Sequence, residues 1–255
     1  MTELSAKKNF SDNPHLTIVI PTYNEAENLP SLAQALLNLP HAPLELLVVD
    51  DNSPDGTGQI AEDLKKDFPG RVSVIHRQGK LGLGTAYITG FCHALQTGTQ
   101  AICQMDADFS HPPAKVLELV DLLQECDVAM GSRYVPGGEV DRNWPMWRKG
   151  LSAFGNVYAR MILRLPVKDA TGGFRVWRSA TLAGMPLERI RSNGYAFQVE
   201  MTYIAYRLGY QIREIPFTFI DRQWGTSKMS FRIQREAAVR VWRMLFEYRN
   251  LRTGS

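Results

Sequence analysis

The stretch AICQMDADFSHPP, residues 101–113, is an apolar run that finishes in two carboxylates separated only by Ala107. If Ala101 to Asp106 is a strand, residues two apart share a face, so Asp106 and Asp108 project together near its carboxyl end. Two hard anionic ligands so placed suit Mg²⁺ or Mn²⁺, which fills its remaining positions with water and substrate phosphate oxygens. A nucleoside diphosphate is then the natural partner. The same pair also fits two solvated strand-end aspartates, because a DxD triplet is common by chance. The strand before it and Pro112-Pro113 after it strengthen the metal reading.

Outward from this run, short apolar segments alternate with longer helical patterns, the signature of βαβ units and a parallel sheet covered on both faces. Strands are expected at Leu16–Ile20, Leu44–Val49, Val72–Ile75, Ala101–Met105 and Val128–Met130. Helices are expected at Glu25–Leu37, Thr57–Phe68, Gly84–Gln96 and Pro113–Leu123. With 255 residues, 44% of them hydrophobic, the chain is long enough for one domain with a sizeable core.

Several classes of function are disfavoured at once. A net charge of +3 is too mild to argue for nucleic acid. The start, MTELSAKKNFSDNPHL, has no apolar central region, so a cytoplasmic location is expected. LTIVIP and LELLVV fall far short of the roughly 20 apolar residues that span a bilayer. Cys92, Cys103 and Cys126 are odd in number and make no CxxC, so they read as reduced core residues.

Three polar turns follow directly on expected strands: PTYNEAEN at 21–28, DDNSPDGT at 50–57 and DADFSHPP at 106–113. Ligands of open α/β sheets sit outside the strand carboxyl ends, so these turns can meet at one site. In the first, Glu25 and Glu27 suit a helix's first turn and Asn24 its N-cap. Capping leaves Pro21 and Tyr23 unexplained; a ring and a carboxylate there would also stack on a nucleobase and accept from its ring N–H. In the second, Asp55 and Gly56 read as turn formers, and Asp51 as the contact to base or ribose. GKLGLGTA at 79–86 lacks the phosphate-loop and dinucleotide patterns, so its glycines read as close backbone approach at a helix start.

Beyond Pro136-Gly137-Gly138 the chain turns apolar and basic. A helix over Pro145–Leu165 carries Leu151, Phe154, Tyr158, Met161 and Leu165 at helical spacing, with Arg148, Lys149, Arg160 and Arg164 beside them. A helix near Tyr195–Leu208 and a strand near Gln211–Ile220 follow. Arg133, just after a strand, and Arg222 with Lys228 in RQWGTSK offer a fork and a mobile charge for phosphate.

Taken in order, PTYNEAENLP, VVDDNSPDGT, KLGLGTAY, MDADFSHPP, GSRYVPGG, DATGGFRVWR, GYAFQVEM and DRQWGTSKMS resemble the polyprenol-phosphate (dolichol-phosphate) mannose synthases of glycosyltransferase family 2. The resemblance implies a GT-A fold over residues 1–230 and a basic amphipathic tail over 231–255. It implies inverting transfer of mannose from GDP-mannose to a polyprenyl phosphate, with Mg²⁺ or Mn²⁺, at the cytoplasmic face of a membrane. Pro21, Tyr23, Glu25, Val49 and Asp51 would hold the nucleotide, and Asp106, Ala107 and Asp108 the metal and diphosphate. Arg133, Arg222 and Lys228 would bind phosphates, while Arg148 and Ser152 would take the acceptor phosphate. Ser110 stands where some relatives carry Gln as a further metal ligand; its neutral, shorter hydroxyl would join the ion directly or through a bridging water.

A lipid phosphate, largely dianionic at neutral pH, needs no strong base to attack the anomeric carbon, so His111 and His76 read as structural. The tail places Ile233, Ala237, Val241, Leu245 and Tyr248 on one stripe, with Arg232, Arg235, Arg240 and Arg243 nearby. That stripe suits a membrane surface and a helix packed on the domain equally; Trp144 and Trp147 would give a second lipid contact. Competing functions are a relative using UDP-glucose or another donor, a sugar nucleotidyltransferase, and a non-catalytic nucleotide-sugar sensor. A membrane-protein partner is left unassigned.

Overall fold

The computed structural model describes residues 10–221 and 231–251, with backbone alone over 231–237. In chain order the elements are β1 (Leu16–Thr22), α1 (Leu29–Leu37), β2 (Leu44–Asp50), α2 (Thr57–Asp67), β3 (Val72–His76), α3 (Leu83–Gln96), β4 (Ala101–Gln104) and α4 (Lys115–Leu122). The second half adds β5 (Val128–Ser132), β6 (Glu139–Val140), α5 (Met146–Leu163), β7 (Arg175–Arg178), α6 (Ser179–Ala183), α7 (Gly194–Arg207), β8 (Ile212–Pro216), β9 (Thr218–Phe219) and α8 (Phe231–Glu247).

Seven strands form one sheet in the order β3-β2-β1-β4-β7-β5-β8. Burial on both faces explains the continuous apolar runs: Val19 enters one core, while Ile18 and Ile20 enter the other. The first core draws on α3, α5, α7 and α8, the second on α1, α2 and α4. Helix α3 lies close on β1 because Gly90 faces it; a Cβ there would come within 2.3 Å of Val19 Cγ1. The parallel register sets Thr22, Asp50 and His76 side by side at the strand carboxyl ends, so the turns that follow emerge together.

Four features differ from the sequence expectation. Strand β7, four residues of which two are arginines, runs antiparallel between β4 and β5. Arg175 sits fully buried in it, its Nε donating to the Gly172 carbonyl at 3.0 Å, which is how a charged residue enters a central strand. The single strand near Gln211–Ile220 divides at Phe217, whose N–H turns to Ser132 O and sends β9 to pair with β6 in a separate ribbon. Cys103 and Cys126 are buried as expected, whereas Cys92 is exposed.

The fourth difference concerns the amphipathic helices. Val241 and Met244 of α8 and Tyr248 just after it are buried in the same core as the sheet, so the stripe that suits lipid in the sequence includes the docked side. The outward side is nevertheless apolar, with Val239, Trp242 and Phe246 exposed. Helix α5 does likewise: Ala159 and Leu163 face the core, while Met146, Trp147, Phe154, Val157 and Met161 face out. The expected stripe on α5 is thus split, Phe154 and Met161 outward and Leu165 inward; Trp147 is exposed and Trp144 buried. Among the described residues no helix is long and apolar enough to cross a membrane.

Candidate active site

The first two turns are stitched together by their backbones. Asn24 N–H donates to Ser53 Oγ at 3.1 Å, Glu25 N–H to Thr57 Oγ1 at 2.9 Å and Ala26 N–H to Asp55 Oδ2 at 3.1 Å. Asn24 is therefore not an N-cap: it takes a left-handed φ of 61°, and the helix starts later, at Leu29. Asp55 is the turn former its sequence suggests, since Oδ1 also accepts from Thr57 N–H and Oγ1 at 3.1 and 2.6 Å. Burial opposes its charge, but the hydrogen bonds from Thr57 and Ala26 win and hold its carboxyl below the ordinary value.

A depressed carboxyl of this kind stabilises the fold above its unfolded pKa, near 4, and the contribution is lost as pH falls through the lowered value. Asp55→Ala should therefore cost about 1 kcal/mol at pH 7, discounted for its exposure, and the gap from the wild type should close below about pH 3. Chemical denaturation at both pH values reads this; a pH-independent gap would sink it.

Pro21, Tyr23 and Glu25 are half-buried around this double turn. Lys80 Nζ stands 4.0 Å from the Tyr23 ring centroid, so the aromatic face expected under a base carries a cation beside it. Asp51 is buried at the end of β2. Its Oδ2 accepts Leu81 N–H at 3.2 Å, and its Oδ1 meets Arg77 Nη1 at 2.9 Å as an ion pair without hydrogen-bond alignment. Burial raises its pKa despite the Arg77 charge. Arg77 also donates to Thr85 Oγ1 at 2.6 Å. Val49 is fully buried within the core, so its side chain offers the site no contact.

The twin aspartates do not share a strand face. Strand β4 ends at Gln104, opposite Arg175 at the start of β7, and residues 105–111 form a loop. Tyr87 donates to Asp106 Oδ1 at 2.7 Å, and Ser110 N–H donates to Asp108 Oδ1 at 3.1 Å. Burial, then the Asp106 charge, pushes the Tyr87 hydroxyl well above its usual range, so it remains a donor. Asp106 N–H donates to His111 Nδ1 at 3.1 Å, and the imidazole stacks on Phe174 at 4.9 Å. Burial holds His111 neutral against the nearby Asp106 and Asp108 charges. His111 thus anchors the loop, and Ala107 packs into the core beneath it.

Asp108 and Ser110 are buried, and Ser110 Oγ has no hydrogen-bond partner among the described residues. Two carboxylates with a nearby orphan hydroxyl are a hard-oxygen set that fits Mg²⁺ or Mn²⁺. No group of three His, Cys, Asp or Glu side chains among the described residues would hold a metal by itself. Such an ion would therefore draw on substrate oxygens and water.

Arg133 is buried in a two-pronged pair with Asp169: Nε to Oδ2 and Nη2 to Oδ1, both at 2.7 Å, with Nη2 also reaching Thr171 Oγ1 at 2.8 Å. Burial opposes both charges, but each holds the other: the Asp169 carboxyl lies below its ordinary value and Arg133 above its own. The pair braces the end of β5 against the loop before β7. Arg148 forms a second fork, to Asp221 at 2.7 and 3.2 Å, and lies 3.8 Å over the Trp144 ring. Ser152 Oγ is 2.9 Å from Tyr134 OH. Arg222 and Lys228 lie outside the described residues. Arg77, Tyr87 and Asp169 escaped sequence reading as site residues; position after β3 was the signal for Arg77, while Tyr87 closes the motif KLGLGTAY and Asp169 opens DATGGFRVWR, neither of which gave its residue a role.

The model of the family described as Glycosyl transferase family 2 matches residues 17–183. The chain is 44% identical over 227 residues to the polyprenol monophosphomannose synthase of Mycolicibacterium smegmatis, covering 88% of this chain and 84% of that one. It is also 44% identical to the undecaprenyl-phosphate mannosyltransferase of Micrococcus luteus, covering 92% and 96%. Among solved structures it is similar to the mannosyltransferase PcManGT from Pyrobaculum calidifontis in complex with GDP-Man and Mn²⁺, with a TM-score of 0.63 at 18% identity, covering 92% of this chain and 65% of that one. It is similar too to glucosyl-3-phosphoglycerate synthase from Mycobacterium tuberculosis, with a TM-score of 0.67 at 16% identity, covering 91% and 80%. Those two likenesses concern the fold, which is the α/β, GT-A arrangement. Turns gathered at the carboxyl ends of a mostly parallel sheet, a buried DxD loop and a match across most of the chain agree: this chain is a member of glycosyltransferase family 2.

Proposed function

We propose that the protein transfers mannose from GDP-mannose to a polyprenyl phosphate, inverting the anomeric centre to give a β-linked polyprenyl phosphomannose. The observation that carries this reading is 44% identity, over most of both chains, to two relatives named for mannose transfer to a polyprenyl carrier. Pro21, Tyr23, Glu25 and Asp51 line the nucleoside end, joined by Arg77. Asp106 and Asp108 would hold the divalent ion, with the Ser110 hydroxyl in support. Val49 and Ala107 serve by packing. Arg222 and Lys228 complete the diphosphate pocket, and Arg148 and Ser152 receive the acceptor phosphate near Tyr134.

When bound, Mg²⁺ or Mn²⁺ supplies positive charge against the charge that develops on the departing diphosphate. The protein's own part is positioning: it brings two anionic substrates to one point and shields them from water. The acceptor phosphate oxygen forms a bond to the anomeric carbon as the bond to the GDP oxygen breaks, and no proton need be removed. His111, with Nδ1 engaged by the Asp106 N–H, and His76, 3.0 Å from Glu62, both hold structural contacts, which supports a reaction without a histidine base. Arg133, engaged by Asp169, acts by fixing the loop and presents its remaining edge to phosphate.

The acceptor brings the enzyme to a membrane, at its cytoplasmic leaflet, and the apolar faces of α5 and α8 support a peripheral contact there. Tyr158 joins the two faces: its ring stacks on Phe154 at 6.2 Å and its hydroxyl accepts from Trp242 Nε1 at 3.0 Å. Outward aromatic rings with Arg164 and Arg243 exposed nearby suit an anionic headgroup region.

Radiolabelled GDP-mannose, with UDP-glucose in parallel, should give a chelator-sensitive mannosyl lipid from a short polyprenyl phosphate. Transfer from UDP-glucose alone would replace the donor and keep the mechanism. No transfer from either would overturn the reading.

A further inference from the structure

We infer that Arg240 and Glu200 are positioning residues for the donor site, so that α8 is a working part of the enzyme rather than an attached anchor. Glu200, on α7, is fully buried. Its Oε1 accepts from Arg240 Nη2 of α8 at 2.5 Å and from Tyr248 OH at 2.8 Å. Its Oε2 accepts the Ser192 and Arg191 N–H groups at 2.9 and 3.3 Å. Arg240 adds Nε to Ser192 Oγ at 2.9 Å and Nη1 to Glu247 at 2.8 Å. One guanidinium from the C-terminal helix thereby fixes the loop that enters α7.

That loop bears directly on the donor turns. A Cβ on Gly84 would lie 2.5 Å from the Ser192 carbonyl oxygen, and one on Gly82, at φ 103°, would lie 2.7 Å from Asn193 Oδ1. The segment from Gly82 to Gly84 is held against residues 192 and 193 with no room for a side chain between them. Leu81, the next residue back, donates its N–H to Asp51. On the other flank Phe197, in the first turn of α7, stacks on Tyr87 at 5.8 Å and 3°, and Tyr87 holds Asp106. Asp51 and Asp106, two of the carboxylates assigned to the donor, therefore lean on the segment that Arg240 and Glu200 pin. A buried carboxylate left by loss of its cation is costly, and the segment has to move to hydrate it.

Removing this pin loosens residues 81–85 and 191–194 and weakens donor binding, while the sheet stays intact. In the full chain, Arg240→Gln should raise the GDP dissociation constant, measured by calorimetry with Mn²⁺ and no acceptor, about tenfold. Amide exchange over 81–85 and 191–194 should quicken by a similar factor, with β1 and β4 unchanged. Arg240→Lys, which keeps the charge without the fork, should recover part of both. If Arg240→Gln does not fold, the charge-neutral pair Arg240→Gln with Glu200→Gln, and the milder Tyr248→Phe, decide the matter. Wild-type exchange over 81–85 with GDP affinity within about twofold in folded variants would overturn the inference. Its affinity arm rests on the proposed donor: wild-type protein that binds no GDP would end that reading, and exchange over 81–85 would then decide the positioning role alone.

Discussion

Asp108→Asn is expected to lower mannosyl transfer by about 10² to 10³-fold, the size of effect seen when a preorganised charge-stabilising group is lost. Asparagine keeps the shape of the side chain and an oxygen in place of Oδ1, which accepts the Ser110 N–H. The loop from Asp106 to His111 is also held by the Asp106 N–H on His111 and by the stack on Phe174, neither of which the substitution touches. What disappears is one negative charge from a hard-oxygen set that contains only two carboxylates. Affinity for Mn²⁺ in the presence of GDP should fall with the rate, whereas the thermal midpoint should stay close to that of the wild type. Near-normal transfer, or a fall in activity matched by unfolding, would remove Asp108 from the role proposed for it.

The sheet was largely legible because its first four strands are apolar on both faces, and a short β-branched run such as LTIVI, bounded by a Pro and a polar turn, favours a buried strand. Legibility failed where tertiary partners override local character. No strand was expected at RVWR, where Gly172 and Ala170, in the loop before it, supply carbonyls for Arg175. Arg133 reads as a basic residue open to phosphate, but its partner Asp169 lies 36 positions away and cannot be paired with it by spacing. The DxD aspartates were found by their position after a strand, although the face-sharing argument that linked them does not hold, since β4 stops at Gln104. Helix α8 was recognised as amphipathic, yet its apolar residues lie on two sides. Val241, Met244 and Tyr248 fill the core while Val239, Trp242 and Phe246 do not, and a single stripe drawn through the sequence cannot separate the two.

That division decides how membrane contact should be tested. Deleting 232–255 would remove Arg240 and Tyr248 from buried Glu200 together with the outward rings, so losses on soluble and embedded acceptors would be confounded. Substitution of the outward rings alone separates them. Phe154 is 67% exposed and Trp242 49% exposed, so Phe154→Glu with Trp242→Glu should leave the domain folded, at a cost of about 1–2 kcal/mol for the lost stack on Tyr158 and the lost bond to its hydroxyl. Each ring gives up apolar burial in the headgroup region, of order 1 kcal/mol or more for a half-exposed aromatic. Each new carboxylate is in addition repelled by anionic lipid. Together the pair should reduce binding to phosphatidylglycerol-containing vesicles by about 10²-fold, and transfer to vesicle-embedded polyprenyl phosphate should fall with it. Transfer to a short, soluble polyprenyl phosphate should be preserved within about twofold, because neither ring belongs to the loops around Asp51 and Asp108. Equal loss on both acceptors would mean that the two faces serve the fold or a protein partner, and unchanged vesicle binding would mean that lipid meets the enzyme elsewhere.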